Sequence, residues 1–141
     1  MFLLFLNCTM ESSKIKYWTE LSDYDIESAR VMLEGKRYLY VGFMCHQAIE
    51  KILKAYFSAS IQEVPPHTHN LTKLSELAGL NKYLTEAQKD YLFSIQPLNI
   101  EARYPSYKEG LMKSLNQENT SRLLEQSREF QSWVKQMLSK I

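Results

Sequence analysis

Between Lys16 and Glu34 the apolar residues Trp18, Leu21, Ile26, Ala29, Met32 and Leu33 fall at helical spacing, with Asp23, Glu27 and Arg30 on intervening positions. That pattern predicts an amphipathic helix, and Gly35 supplies its stop because glycine tolerates the left-handed conformation that closes helices. A hairpin then leads into a second helix from Arg37 to about Ser60. Val41, Cys45, Ala48, Ile49, Ile52, Leu53, Ala55, Tyr56 and Ala59 give it a broad apolar face. The small residues Gly42, Ala48, Ala55 and Ala59 lie on or beside that face and would admit a close neighbour. The opposite stripe is Phe43, His46, Gln47, Glu50, Lys51 and Lys54.

Pro65 and Pro66 cannot continue this helix, since proline lacks the amide donor and clashes with the preceding turn, so residues 61–70 read as a loop. Asn70 can cap a short helix through Leu71, Leu74 and Leu77 to Gly79, and Thr85 to Gln88 has the form of a capping box for another helix ending before Pro97. Residues 99–113 contain Pro105 and Gly110 and show no period, a connection long enough to be functional or disordered. Ser114 or Asn116 can then cap a last helix, with Leu123, Leu124, Phe130, Trp133, Val134, Met137, Leu138 and Ile141 on one face. The expected fold class is all-α, an up-and-down bundle of about five helices, three of them long.

Residues 1–9 are apolar, but the run is far shorter than the roughly 20 residues that span a bilayer, and it lacks the cationic start and small-residue cleavage site of a secretory signal. Met10 opens a sequence that reads like an ordinary start. Residues 1–14 are therefore expected to form an N-terminal extension outside the core, with residues 15–141 as the bundle domain. The alternative is an apolar strip docked on the bundle or on a second subunit.

Composition narrows the function classes. The 141 residues, 45% hydrophobic and 23% charged, suffice for one domain's core. With 17 Lys and Arg against 16 Asp and Glu the net charge is +1, so any basic site must be local. Only 4 Gly and 4 Pro argue against a β-sandwich or a glycine-rich phosphate loop. Two cysteines, Cys8 and Cys45, make neither a disulfide framework nor a four-ligand metal site, which fits a reduced, cytoplasmic setting with no membrane partner. The HExxH, GxSxG and CxxC signatures are absent.

Three constellations could carry chemistry. On the second helix His46 and Glu50, Gln47 and Lys51, and Glu50 and Lys54 are four apart and hence adjacent. A carboxylate can orient a histidine as a base, and the lysines could hold a phosphate; the spacing alone favours a solvated face laced with intrahelical pairs. His67 and His69 could contribute metal ligands, although two are too few for a zinc site, and a role for His69 at the start of the following helix is preferred. Arg103, Tyr104 and Tyr107 in the long connection offer a phosphate fork and stacking rings, or an arginine paired with Glu101 and tyrosines that pack the loop.

Asp25-Ile26 with Ala29, Tyr38, the run His46-Gln47-Ala48-Ile49-Glu50-Lys51 with Lys54-Ala55, His67 and His69 with Leu71, and Ala102-Arg103-Tyr104-Pro105 together resemble a HEPN domain (higher eukaryotes and prokaryotes nucleotide-binding). The match covers the chain from about Lys16 to the C-terminus and rests on the order and spacing of these motifs. The resemblance implies an up-and-down bundle, a homodimer, and a minimal nucleotidyltransferase partner, often in a toxin–antitoxin pair. Some HEPN members are metal-independent ribonucleases that carry an arginine, four to six further residues and a histidine, paired across two subunits. Here the arginine would be Arg103, and the histidine would fall at Lys108, Glu109 or Gly110, none of which is histidine. Tyr107 or Lys108 would substitute poorly, with ordinary pKa values of about 10.

The expected function is thus a non-catalytic HEPN-type module that dimerises and binds a nucleotide, a minimal nucleotidyltransferase, or both. Its ligand-binding candidates are Arg103, Tyr104, Tyr107, His46, Gln47, Glu50, Lys51, Lys54 and His69, with no catalytic residue, metal or cofactor assigned. One alternative is a metal-independent ribonuclease acting on RNA through a rearranged site that draws on His46, His67 or His69. The other is a purely structural protein-interaction domain that uses the small-residue face and Trp133.

Overall fold

No glycine or proline occurs before Gly35, so nothing interrupts the backbone ladder in the first part of the chain, and helix α1 runs from Phe2 to Glu34. It is longer than the apolar period predicts, and residues 2–15 contain no glycine or proline that would break it. The computed structural model describes the backbone of residues 2–99, 109–110 and 113–141, with side chains from residue 12 onwards.

The left-handed residue that closes α1 is Lys36, with φ 58°, rather than Gly35. The Lys36 amide donates to the Leu33 carbonyl at 3.0 Å and the Arg37 amide to the Met32 carbonyl at 2.8 Å, the two bonds of a Schellman closure. Four further helices follow: α2 (Tyr38–Ile61), α3 (Leu71–Leu77), α4 (Glu86–Ile95) and α5 (Gln117–Leu138), with 3-10 turns at Asn81–Tyr83 and Gln96–Asn99. The expected caps form. The Asn70 side chain accepts the Lys73 amide at 3.0 Å, and Thr85 and Gln88 exchange bonds at 3.1 and 2.9 Å. Of the two candidates for the last helix, Asn116 is the cap and accepts the Asn119 amide at 2.8 Å.

Helix α2 is the centre of the bundle, with α1 and α5 packed along it. Ile49, Ile52 and Leu53 of α2 are fully buried with Leu71, Leu74, Leu80, Leu92, Ile95 and Val134, each worth roughly 1.5–3 kcal/mol relative to exposure. Gly42 permits one of the closest approaches, since a Cβ there would stand 3.3 Å from Leu115 Cδ1 and 3.4 Å from Leu98 Cδ1. Buried polar contacts fix the register of the three long helices. Ser22 Oγ donates to the Ala48 carbonyl at 2.7 Å, and Gln131 Nε2 donates to Ser22 Oγ at 2.9 Å. Tyr91 and Ser127 share a 2.6 Å hydroxyl contact that joins α4 to α5.

The described residues thus form an all-α bundle of five helices, three of them long, without a strand. None of these helices is long and apolar enough to cross a membrane. α1 and α2 are antiparallel, and Trp18 lies level with Lys54. Seven residues of α2 follow Lys54 whereas sixteen of α1 precede Trp18. The first turns of α1 therefore run about 14 Å past the end of α2, at 1.5 Å per residue.

Candidate functional site

His46, Gln47, Glu50, Lys51 and Lys54 share one side of α2, as their spacing predicts, but that side is not the solvated face the spacing favours. His46 is 0% exposed, and Glu50 and Lys54 are buried with it. The partners that bury and neutralise the row come from segments distant in sequence: Trp18 and Asp25 on α1, and His69 in the loop before α3.

Glu50 is the hub. Its Oε2 accepts from Lys54 Nζ at 3.2 Å and its Oε1 meets His69 Nδ1 at 2.7 Å, so each carboxylate oxygen has a nitrogen partner. Lys54 Nζ also stands 5.4 Å over the Trp18 ring, a cation–π contact in the same dry setting. With side-chain exposures of 3% for Glu50 and 9% for Lys54, this is a buried ion pair, whose worth lies in complete satisfaction of both groups. A second line runs beside it. Lys51 Nζ lies 3.5 Å from Asp25 Oδ2 and donates to Gln47 Oε1 at 3.0 Å, while Gln47 Nε2 donates to Asn99 Oδ1 at 3.2 Å. Burial raises the Asp25 carboxyl above its ordinary value, with Lys51 pulling it back.

His69 does not cap α3; Asn70 does. The His69 side chain, 64% exposed, reaches back to Glu50, and its carbonyl accepts from Gln96 Nε2 at 2.9 Å. The Gln96 carbonyl oxygen Oε1 in turn accepts the Leu71 amide at 2.8 Å, so one glutamine joins the loop, α3 and the 3-10 turn. His67 is exposed, and no group of three or more His, Cys, Asp or Glu arranged to hold a metal occurs among the described residues.

His46 is the exception in an otherwise satisfied cluster. No hydrogen bond of ordinary geometry reaches either ring nitrogen among the described residues, although a neutral imidazole carries one donor and one acceptor; the His69 backbone makes a weaker contact with the ring. Such a buried, unmet group costs about 1–3 kcal/mol. Burial pushes the His46 pKa down to about 4, against the opposing pull of the Glu50 charge and the nearby His69 backbone. The ring is neutral at pH 7. Its neighbour Cys45 is also buried, and its thiol is pushed up to about 11, which makes it inert.

Arg103, Tyr104, Tyr107 and Lys108 lie outside the described residues. Glu109 and Gly110 are helical and exposed. Four contributors escaped the sequence reading as site residues: Trp18, Asp25, Gln96 and Asn99. A signal existed for Asp25, which shares α1's inward stripe with Ser22 and Ala29, where a carboxylate requires a partner. A separate groove of about 380 Å³ lies between α4, its 3-10 turn and α5, floored by Ile95, Leu98, Leu115 and Leu123 and edged by Arg122 and Gln126.

Comparison with known proteins gives a consistent picture. A family model described as HEPN domain matches residues 15–137. Among solved structures, TT1696 from Thermus thermophilus superposes with a TM-score of 0.73 at 16% identity, covering 87% of this chain and 97% of that one. ST0689, an archaeal HEPN homologue, superposes with a TM-score of 0.63 at 19% identity, covering 88% of this chain and 97% of that one. No curated protein sequence matches the chain.

Proposed function

Because the chain belongs to the HEPN domain family, we propose that it is a non-catalytic HEPN-type module that dimerises and binds a nucleotide, a minimal nucleotidyltransferase partner, or both, in a toxin–antitoxin-like pair. The observation that carries the non-catalytic reading is the state of the α2 row. General acid–base cleavage of RNA needs a titratable group near neutrality within reach of the 2′-hydroxyl. Here His46 is buried with its pKa pushed down to about 4, and Glu50, Lys54 and Lys51 are paired with groups of the same chain. The sequence adds Lys108, Glu109 and Gly110 where an active member places its histidine.

Ligand contact on this reading falls to Arg103, Tyr104 and Tyr107, with Lys51 and Gln47 as the more accessible members of the α2 row. Glu50, Lys54 and His69 hold the framework of the α2 row. Asn99, which Gln47 holds, stands four residues before Arg103 in the chain. The purely structural alternative loses ground, because the small-residue face of α2 is occupied inside the bundle: Ala48 and Ala55 are fully buried and Gly42 meets Leu98 and Leu115.

The rearranged-ribonuclease reading has one observation in its favour, the exposed His69 imidazole oriented by a buried carboxylate. An RNA cleavage assay with chelator present separates the two. No cleavage at micromolar protein is expected, alongside a homodimer in sedimentation and nucleotide binding in calorimetry that weakens in Arg103→Ala. Chelator-resistant cleavage that disappears in Arg103→Ala or His69→Ala would replace the module with the enzyme.

A further inference from the structure

Helix α1 buries one side and leaves the other bare. Ser22, Ile26 and Ala29 are buried against α2 and α5, with Ser22 bonded to the Ala48 carbonyl of α2 and to Gln131 of α5. On the far side Tyr17, Tyr24 and Val31 follow one another at seven-residue steps and are between 49% and 71% exposed. Seven residues make close to two turns, so the three stand in one column along the outer face of the helix. A solvent-facing column of large apolar side chains at this spacing is what a second helix covers, unlike the single apolar residues scattered over an ordinary surface.

The charges beside the column point to the same helix of a second copy. One flank reads Lys16, Glu20, Asp23, Glu27, Arg30 and Glu34 from its N-terminal end. Lys16 and Glu34 are eighteen residues apart, five full turns, and therefore lie on the same side of α1. In an antiparallel pair related by a two-fold axis, each flank meets the same flank of the other chain, running in reverse. With the axis at Tyr24, Tyr24 meets its own copy and Tyr17 is level with the partner's Val31. Lys16 then stands two residues, about 3 Å of helix rise, from the level of the partner's Glu34, and Glu20 stands at the same stagger from the partner's Arg30, so both rungs join opposite charges. The acids nearest the axis are compensated within their own chain, Asp23 by Lys135 at 2.6 Å and Glu27 by Arg30 at 2.6 Å.

We propose that the outer face of α1 is the homodimer interface, an antiparallel contact of α1 with α1 centred on Tyr24 and set in register by the Lys16 to Glu34 and Glu20 to Arg30 rungs. The inference rests on the dimer half of the proposed function and adds where the two chains meet. The contact ends at Lys14, level with the partner's Glu34, so the opening turns of α1 project past the end of the partner's helix.

The test is disulfide capture on the full chain at micromolar concentration, with sedimentation alongside. Tyr24→Cys is made in a Cys8→Ser background, which leaves the buried Cys45 as the other thiol, and Phe93→Cys, at an exposed position of α4, serves as the control in the same background. Across the two-fold axis the introduced thiols of Tyr24→Cys face each other, so oxidation should convert most of that variant to a covalent dimer on a non-reducing gel and leave the control monomeric. In sedimentation Lys16→Glu and Glu34→Lys should each weaken the dimer about ten-fold or more, and the two together should restore it. A dimer in sedimentation that yields no Tyr24→Cys disulfide, or one captured equally through Phe93→Cys, would place the contact on another face and overturn the α1 assignment with the dimer itself intact. A double charge variant no tighter than the single ones would overturn the register. A monomer in sedimentation would overturn this inference and the dimer reading together.

Discussion

An imidazole held neutral in the folded chain makes acid a specific threat to the fold. In the unfolded chain His46 takes a proton near pH 6.5, and in the folded chain only near pH 4. Between those values the unfolded state binds a proton that the folded state lacks, so stability falls as pH drops through the window and the loss is complete at its lower end. The drop amounts to roughly 3 kcal/mol at full extent. Urea unfolding at a series of pH values should show it, and His46→Met should flatten that part of the profile; coincident profiles would assign the acid sensitivity elsewhere. Glu50 sets a second expectation. With two nitrogen partners on a carboxylate that is 3% exposed, Glu50→Gln leaves the buried Lys54 charge without a counter-charge, which should cost about 3–5 kcal/mol in the same assay.

At the level of elements, α1 ends on a residue ill suited to its place. Lys36 adopts the left-handed conformation one position after the glycine that could have taken it freely. Lys36→Gly should raise stability by about 0.5–1 kcal/mol, read as a shift of the urea midpoint with an unchanged slope, and no shift would mean that the lysine makes a compensating contact. This closure also shows what the sequence conveys and what it does not. The apolar periods of α2 and α5, the Asn70, Thr85 and Asn116 caps and the proline stop are local signals, legible because each depends on neighbours within a turn or two. The polar row of α2 is equally local in spacing, yet its burial is decided by Trp18, Asp25 and His69, which the chain brings from a different helix and a loop. Hydrophobic periodicity cannot tell a hydrated lysine from one roofed by a tryptophan, so the same residues read as surface. His69 was legible as a polar residue at a helix start, but its ring reaches across to α2 and left the capping to Asn70.

In the whole molecule, α1 outruns its neighbours at one end. The register of Trp18 against Lys54 leaves the opening turns of α1 beyond the end of α2. Deletion of residues 1–9 is therefore expected to change the unfolding free energy of the bundle by less than about 0.5 kcal/mol. A loss several times larger would mean that the arm packs on the bundle or on a second subunit, and sedimentation of the truncated chain would tell which. At the same end of the molecule, the loop between α2 and α3 reaches its anchors late: His69, its next-to-last residue, holds Glu50 and Gln96, and the Asn70 cap follows. For anyone wishing to lengthen the gene, that asymmetry marks a point of insertion: between Glu63 and Val64 the chain is exposed and ahead of these anchors, so an epitope or a small reporter domain can be spliced there with the scaffold left intact.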